Sequence, residues 1–355
     1  MLSYKHLHDD NVYSKIIRMK GKKENTVRFT FIDLFAGIGG TRLGFESAGG
    51  KCVFTSEWDK HAQKTYMENF GEIPHGDITK IKASDIPNFD VLVAGFPCQP
   101  FSSIGLRQGF KHATQGTLFY DVARIIEVKK PRAFLLENVP GLATHDNGNT
   151  FNIIKKTLDK LGYVVSYKII DSSKFGVPQQ RKRMYIVGFR KDLTQDSFEF
   201  NFPEGTNNKI YINKFLETNA TGYGISEKLQ KTYIFKADDG RPMIVDKNSR
   251  VHVKTLVASY HKIQRLTGTF VKDGDTGLRL FTRDECKAIM GFPKDFIVTV
   301  SRTQMYRQFG NSVVVPVIAS IAKLMAKELD KSPRIKLEVI KNEPIQLQQE
   351  LELAI

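Results

Sequence analysis

The sequence predicts an α/β fold built around a largely parallel sheet. Short, unbroken apolar segments alternate along the chain with amphipathic ones, and this alternation is typical of parallel strands covered by helices. Several of the apolar segments end abruptly in glycine, proline or polar residues. Open α/β sheets bind their ligands at the carboxyl ends of such strands. We therefore expect the functional site at those strand ends.

The charge of the chain indicates a polyanionic partner. Of 355 residues, 53 are Lys or Arg and 38 are Asp or Glu, which gives a net charge of +15. Nucleic acid is favoured over a membrane surface because the sequence has no basic amphipathic helix with an aromatic face, although basic residues also serve solubility. No apolar run is long enough to predict a membrane span, and no signal peptide is expected. Three scattered cysteines predict neither disulfides nor a zinc site, so we expect a cytoplasmic protein.

A cysteine between two prolines follows the most apolar of these predicted strands. Residues 91–94 are apolar, and Pro97 and Pro100 end the strand because proline cannot donate a hydrogen bond to a sheet ladder. Cys98 is therefore placed just beyond a strand end, where a thiol can act as a nucleophile. A buried structural cysteine is the alternative.

A glycine-rich turn follows the first predicted strand. Residues 37–40 read Gly-Ile-Gly-Gly, and Thr41 is then the expected N-cap of a helix. Arg42 stands where the third glycine of a dinucleotide motif would fall, so the pattern for NAD is weak. Glu57 is placed to accept ribose hydroxyls, and Asp77 to meet an adenine. A nucleoside ligand without a pyrophosphate, such as S-adenosylmethionine, fits this pattern; two solvated carboxylates beside a tight turn are the alternative.

Charged side chains mark two further strand boundaries. The apolar strand 133–136 ends in Glu137, and burial is expected to raise the pKa of this carboxyl so that it can donate a proton near neutral pH. Arg181 and Arg183 precede or begin another strand and, if already extended, point the same way. Paired guanidinium groups suit a phosphate or a base edge. A capping carboxylate and a basic strand edge that prevents aggregation are the alternatives.

The periodicity weakens between about residues 192 and 271, as in a small, loop-rich domain. Basic residues there are interleaved with Tyr260 and two histidines, which fits a nucleic-acid face, although a solvated basic loop fits nearly as well. The Lys and Arg residues between positions 247 and 279 are Lys247, Arg250, Lys254, Lys262, Arg265, Lys272 and Arg279. Thr282 and Glu285 then form a predicted capping box at the start of a helix.

Taken together, these segments resemble the DNA (cytosine-5) methyltransferases of bacterial restriction–modification systems. The resemblance covers roughly residues 28–189 and 280–323. It rests on six motifs in the family's order: FIDLFAGIGG at 31–40, GFPCQPFS at 95–102, ENV at 137–139, QRKR at 180–183, RDECKAIMGFP at 283–293 and QFGNS at 308–312. The divergent region falls where the family has its target-recognition domain.

The resemblance implies an α/β, Rossmann-like S-adenosylmethionine-dependent methyltransferase sheet, a smaller, loop-rich target-recognition domain and a DNA cleft between them. The implied division is a leader at 1–27, a catalytic cofactor-binding domain at 28–191 plus 305–330, a target-recognition domain at 192–290, a hinge at 291–304 and a tail at 331–355. The implied reaction transfers methyl to C5 of a flipped-out cytosine in a defined DNA sequence, through a covalent Cys98–C6 adduct. Such an enzyme is the protective half of a restriction–modification system.

The resemblance also implies roles for individual residues. The catalytic set is Cys98 as nucleophile, Glu137 at N3 and the exocyclic amine, Arg183 at O2, and Arg181 bracing the site. The residues expected to line the S-adenosylmethionine pocket are Phe35, Gly37, Gly39, Glu57, Trp58, Asp77, Ile78, Gly95, Pro97, Leu118 and Asn311. Those expected to contact DNA are Gln99, Ser102, Arg107, Arg250, Lys254, Thr255, Tyr260, Lys262 and Arg265.

The expected partner is double-stranded DNA, with a restriction endonuclease as a functional counterpart rather than a stable complex. We expect a monomer without a metal site or membrane contact, in the bacterial cytoplasm and associated with the nucleoid through DNA. Three alternatives stay open: a tRNA cytosine-5 methyltransferase, an NAD-dependent dehydrogenase and a non-catalytic DNA-binding protein. The missing third glycine argues against the dehydrogenase, and the intact motifs argue against the non-catalytic protein.

Overall fold

A computed structural model describes residues 27–97 and 118–331, and its centre is a six-stranded sheet in the order β2–β1–β3–β4–β6–β5. The strands are β1 (Phe29–Leu34), β2 (Gly50–Ser56), β3 (Val91–Ala94), β4 (Ala133–Asn138), β5 (Tyr163–Asp171) and β6 (Lys182–Arg190). The strands β2, β1, β3 and β4 are parallel, whereas β6 is antiparallel to both β4 and β5. The predicted α/β class is confirmed, and the antiparallel pairing of β6 is a feature that the sequence pattern did not specify.

Helices cover both faces of this sheet. Those of eight residues or more are α1 (Gly40–Ser47), α2 (Lys60–Phe70), α3 (Phe119–Lys129), α4 (Asn149–Lys160), α5 (Arg283–Met290), α6 (Arg302–Asn311) and α7 (Val315–Lys331). Alternate strand residues such as Val93 and Leu135 pack in one apolar cluster with α1 and α7, and Leu92 and Leu136 pack in a second with α3 and α4. Strand β3 is apolar throughout because neither face of the sheet meets water there.

Side chains cap the amino-terminal ends of α5 and α2, but the N-cap predicted for α1 is not the observed one. Thr282 and Glu285 form the predicted capping box of α5, and Asp59 caps α2 by accepting from two backbone amides. The prediction that Thr41 caps α1 is wrong: Gly39, with φ 85°, is the N-cap, and Thr41 lies inside the helix. A glycine is needed there because the preceding turn enters the left-handed region.

The stretch Arg302–Lys331 contains an 18-residue window with a mean hydropathy of 1.6, which by length and composition alone could cross a membrane, whereas no such run was expected. Its most apolar window is 67% buried inside the protein. Val317, Ile321 and Met325 of α7 lie within the core cluster. The apolar character of this stretch is thus explained by core packing, which produces the same composition.

The region after β6 is mostly loops and adds a small two-stranded parallel sheet, β7 (Met243–Val245) and β8 (Thr269–Val271). Its buried residues, for example Phe270, belong to the same apolar cluster as α5 and α6. This region therefore packs directly on the elements that follow it in the chain.

Candidate active site

The sheet brings the ends of five strands to one edge. Leu34 at the end of β1 pairs with Ser56 of β2 and with Ala94 of β3, and Ala94 pairs in turn with Leu136 of β4. Because β6 is antiparallel to β4, its amino-terminal part lies beside the carboxyl end of β4, and Met184 pairs with Asn138. The segments that follow β1, β2, β3 and β4 therefore begin at the edge of the sheet where β6 also begins.

Glu137 and Arg183 form an ion pair at this edge. Arg183 Nε lies 3.1 Å from Glu137 Oε1, and the two side chains are 17% and 16% exposed. Burial raises the pKa of Glu137, and the nearby Arg183 and Arg181 offset only part of that rise. Within the part of the chain that the structure describes, no hydrogen bond engages Glu137 Oε2 or Arg183 Nη2. These groups remain available to a ligand.

Gly95 lies beside the Glu137 carboxylate. A Cβ built on Gly95 would lie 3.6 Å from Glu137 Oε2. The Gly95–Pro97 segment is tied to β4 by the Asn138 amide, which donates to the carbonyl of Phe96 at 3.0 Å. Pro97 is exposed. Cys98, Gln99, Ser102 and Arg107, the predicted nucleophile and three predicted DNA contacts, lie outside the described residues.

Arg181 is separated from Arg183 in environment as well as in sequence. It lies just before β6, is 4% exposed, and donates to the carbonyls of Leu256, Gly310 and Ser312 at 2.7–3.1 Å. Both guanidinium groups act on the pKa of Glu137, but Arg181 is bound to backbone carbonyls whereas Arg183 pairs with that carboxylate. Burial lowers the pKa of Arg181 to about 10, so it stays cationic at neutral pH.

The turn after β1 presents open backbone beside a fixed carboxylate. Gly37 has φ 55°, and nothing lies within 4 Å of the position that a Cβ would take there. Its amide donates to Glu57 Oε2 at 2.8 Å, and the amide of Asp59 donates to Oε1 at 2.7 Å. Burial raises the pKa of Glu57. Phe35, with φ 58°, is half-buried at the same turn.

Other predicted pocket residues are distributed around this turn. Trp58 is 77% exposed, which leaves its indole face free of protein cover. Asp77 caps a short 3₁₀ turn by accepting from Thr79. Asn311 is exposed at the end of α6, and Leu118 is half-buried before α3.

Two predicted pocket residues could meet a ligand only through their backbone. A Cβ on Gly39 would come within 2.2 Å of the Phe70 ring, so this glycine is required by protein packing. Ile78 is 2% exposed within the second apolar cluster, so its side chain faces the core and only its backbone can meet a ligand.

The predicted DNA contacts divide into exposed and buried residues. Arg250 and Lys262 are exposed, and Lys254 and Thr255 are half-buried. The expectation for Tyr260 is wrong: it is 4% exposed, and its hydroxyl donates to the carbonyl of Thr269 at 2.6 Å.

Arg265 and Arg279 are also structural residues, although both were counted in the predicted basic face. Arg265 is 3% exposed and pairs with Asp239, and it also donates to two carbonyls. Arg279 is fully buried between Glu285 and Asp273. A count of charges in the sequence does not reveal which of them are already neutralised by folded partners.

Two residues of interest were missed in the sequence. Asp33 is the single acid of the apolar strand β1, and burial raises its pKa to about 8; a lone charge in such a strand was the available signal. Gln179 is fully buried and accepts from the amide of Leu256 at 2.7 Å. No sequence pattern links Gln179 to Leu256, which is 77 positions away.

The groups around the turn after β1 fit S-adenosylmethionine. Glu57 holds a carboxylate at the end of β2, Gly37 leaves the backbone open, and the exposed Trp58 ring offers an aromatic face. Among residues 27–97 and 118–331, no group of three or more metal-binding side chains is found.

Comparison with known proteins identifies the family. The model for the C-5 cytosine-specific DNA methylases matches residues 29–327. The type II methyltransferase M.BsuFI of Bacillus subtilis is 59% identical over 320 residues, 90% of this chain and 78% of the relative. The type II methyltransferase M.MspI of Moraxella sp is 58% identical over 315 residues, 88% of this chain and 74% of the relative.

Solved structures support the fold independently. A crystal structure of a DNMT2 mutant from Spodoptera frugiperda has a TM-score of 0.69 at 24% identity and covers 85% of this chain and 99% of its own. The family match excludes the dehydrogenase and the non-catalytic protein as alternatives. The chain belongs to the C-5 cytosine-specific DNA methylase family and is an S-adenosylmethionine-dependent DNA (cytosine-5) methyltransferase.

Proposed function

We propose that this enzyme methylates one cytosine within a defined sequence of duplex DNA, through a covalent bond from Cys98 to C6 of the base. The observation that carries the proposal is the Glu137–Arg183 pair, 3.1 Å apart at the end of β4. The neighbouring strand β3 leads through Gly95–Pro97 directly into Cys98. In the chain, the thiol therefore comes soon after the end of β3, the carboxyl of raised pKa lies near the end of β4, and the guanidinium lies near the start of β6.

These three groups match what cytosine chemistry requires. Carbon 5 of cytosine is too weak a nucleophile to take a methyl group directly. Addition of the Cys98 thiolate to C6 forms the S–C6 bond and pushes an electron pair into the ring, so that C5 becomes enamine-like. Negative charge develops toward N3 and O2, where a protonated Glu137 and Arg183 stabilise it.

The reaction is completed by elimination. When bound, S-adenosylmethionine would supply an electrophilic methyl group to C5, and the electron pair of the broken methyl–sulfur bond would leave on S-adenosylhomocysteine. A base then removes the C5 proton, the electron pair re-forms the C5–C6 double bond, and the Cys98 thiolate leaves. Arg181 holds the start of β6, and hence Arg183, through its bonds to three carbonyls.

For the cofactor we propose a pocket at the ends of β1 and β2. Glu57 would accept ribose hydroxyls, and the exposed Trp58 face would lie against the adenine. The remaining contacts would come from Phe35, Gly37, Asp77, Gly95, Pro97, Leu118, Asn311 and the backbone of Ile78. Gly37 would allow close approach because no side chain fills the adjacent space.

DNA binding follows from the charge and from the need to expose the base. A stacked cytosine cannot reach a site at a strand end, so it must leave the duplex at a cost of a few kcal/mol. We propose that Gln99, Ser102, Arg107, Arg250, Lys254, Thr255 and Lys262 contact DNA. Phosphate contacts would offset the cost and would make the affinity dependent on salt.

We also propose the cellular setting. The names of the type II methyltransferase relatives support a protective role in a bacterial restriction–modification system. The enzyme would act as a cytoplasmic monomer on nucleoid DNA, without a membrane or a stable endonuclease complex. The predicted domains would be 28–191 plus 305–330 for catalysis and 192–290 for target recognition, joined by a hinge at 291–304.

Two experiments test the proposal. Bisulfite sequencing of plasmid DNA after expression identifies the methylated site. A duplex carrying 5-fluorocytosine at that site should then form a denaturant-resistant complex in the presence of cofactor, because fluorine at C5 cannot leave as a proton. Peptide mapping is expected to find the base on Cys98.

The controls are matched cysteine variants. Cys98→Ser should abolish the complex, whereas Cys52→Ser, at a half-buried position in β2, should retain it. A wild-type complex that never resists denaturant, or methyl transfer to tRNA and not to duplex DNA, would contradict the proposal.

A further inference from the structure

A short ladder of hydrogen bonds joins the start of β6 to a segment of the loop-rich region, residues 253–256. The amide of Gln180 donates to the carbonyl of Val253 at 2.9 Å, and the amide of Val253 donates to the carbonyl of Pro178 at 2.8 Å. Thr255 Oγ1 donates to the carbonyl of Gln180 at 2.9 Å. Residues 178–180, just before β6, and residues 253–255 are therefore paired like strands, although Gln180 and Thr255 are 75 positions apart in sequence.

Gln179 is the side chain that holds this ladder to the rest of the protein. It is 0% exposed, its Oε1 accepts from the amide of Leu256 at 2.7 Å, and its Nε2 donates to the carbonyl of Ile289 at 3.0 Å. Nε2 also lies 3.2 Å from the sulfur of Met290. One amide thus connects residues 253–256, helix α5 and the start of β6.

Residues 256–258 also contact Arg181 and the end of helix α6. Leu256 gives its carbonyl to Arg181, which also binds the carbonyls of Gly310 and Ser312. A Cβ on Gly310 would come within 2.1 Å of the amide nitrogen of Ala258, so the two backbones are in direct contact. Residues 253–258 therefore contact both the arginine-bearing segment and the turn beside Asn311.

We propose that Gln179 is a positioning residue that couples DNA engagement by residues 253–258 to the placement of Arg183. The two residues of this segment for which we propose DNA contacts, Lys254 and Thr255, are half-buried and lie on the ladder itself. A displacement of the ladder on DNA binding passes through Gln179 and Arg181 to Arg183, two residues further along the chain. Because an ångström of misplacement can cost about 100-fold in rate, small shifts at this junction are sufficient.

The test replaces the amide without changing the size of the side chain. In Gln179→Met, the single-turnover rate of methyl transfer at saturating cofactor and saturating cognate duplex should fall about 10- to 100-fold. The dissociation constant for the duplex should stay within about threefold, since no DNA contact is removed. The rate is expressed per active site, counted by trapping on the 5-fluorocytosine duplex.

Gln180→Met is the matched control, because it makes the same chemical change one residue away on an exposed side chain. Among the described residues, Gln180 forms hydrogen bonds through its backbone only. It should keep the wild-type rate. Thr255→Val, which removes one bond at the other end of the ladder, serves as a milder second variant and should lower the rate a few-fold without loss of the fold.

The outcomes separate the possibilities. Equal rates per trapped site for Gln179→Met and Gln180→Met would overturn the positioning role. The role would also be overturned if Gln179→Met lowered only the fraction of enzyme molecules that can be trapped and left the rate of each trapped site unchanged. Loss of DNA affinity with an unchanged rate would overturn it as well. The inference rests on the proposed function, and failure of the wild-type enzyme to form the trapped complex would count against that function instead.

Discussion

Two arginine–glutamate pairs in this protein differ in burial and in the number of hydrogen bonds that they already form. Arg183 and Glu137 meet at a strand end with about a sixth of each side chain exposed. Arg279 and Glu285 meet at the amino-terminal end of helix α5 with both side chains fully buried. The residue types are the same, so residue type alone does not decide function.

The difference lies in how many hydrogen-bonding groups are already engaged. Arg279 donates to both oxygens of Glu285, to Asp273 and to the carbonyls of Glu217 and Leu280. The Glu285 oxygens also accept from the backbone amides of Glu217 and Thr282.

In contrast, the Glu137–Arg183 pair keeps free groups within residues 27–97 and 118–331. A saturated pair specifies a packing arrangement, whereas an unsaturated pair at a strand end can bind and polarise a ligand.

The largest effect is expected from a substitution in the Glu137–Arg183 pair. Glu137→Gln should lower kcat by about 10²- to 10⁴-fold, because the variant cannot protonate N3 in the transition state. The free energy of unfolding should change little. Steady-state kinetics together with thermal melting check this; a variant that loses stability in proportion to its activity would show that the pair is structural.

The same variant tests the protonation state. The pKa of Glu137 is raised by burial, so the protonated form is lost only as pH rises through that raised value. The wild-type rate should therefore fall on the alkaline side, and Glu137→Gln should lack this fall. The pH–rate profiles of the two proteins should coincide in shape if Glu137 has no part in the proton transfer.

The saturated pair should give a large effect on stability. Arg279→Met leaves the fully buried Glu285 without a counterion and removes the partner of the half-buried Asp273, so it should lower the free energy of unfolding by about 3–5 kcal/mol. Chemical denaturation measures the loss. Arg283→Met, an exposed arginine of α5, is the control and should be near neutral.

Trp58 extends the comparison to an exposed group. Trp58→Ala should raise KM for S-adenosylmethionine about tenfold, about 1.4 kcal/mol, because an aromatic face is lost. The melting temperature should hardly change, since the ring is 77% exposed. Phe235→Ala, also exposed, should leave this KM unaltered; equal effects of the two variants would count against a cofactor contact.

Asp33 gives the smallest and most specific effect. Its pKa rises from 3.8 unfolded to about 8 folded, so its stabilising contribution is complete below about pH 4 and is lost as pH rises through 8. Between pH 6 and 7 the wild type should lose about 1 kcal/mol relative to Asp33→Asn. Chemical denaturation of both proteins at each pH measures the difference; the exposed Asp196→Asn should run parallel to the wild type.

Much of the fold and of the candidate site could be predicted from local sequence. The apolar strands, their abrupt ends and the capping box of α5 depend on residues that are neighbours in the chain. The roles assigned to Glu137, Arg183, Glu57 and Trp58 stay predictions, but the fold brings the predicted strand ends to one edge.

The errors have a common cause. Tyr260, Arg265 and Arg279 were assigned to a basic face because their charge and aromatic character are visible in the sequence, whereas their partners are not. Asp239 lies 26 positions from Arg265, in a stretch without periodicity. Burial of a polar residue depends on such partners, and these are set by packing.

The sequence by itself determined the α/β class, the strand ends and the chemical groups that follow them, because these depend on local periodicity and turn chemistry. Only the tertiary structure decided that β6 runs antiparallel to β4, which brings Arg183 to Glu137, and that Gln179 bonds to Leu256. The physical reason is that free hydrogen-bonding groups and buried charges are properties of contacts between distant segments. Such contacts exist only once the chain has folded.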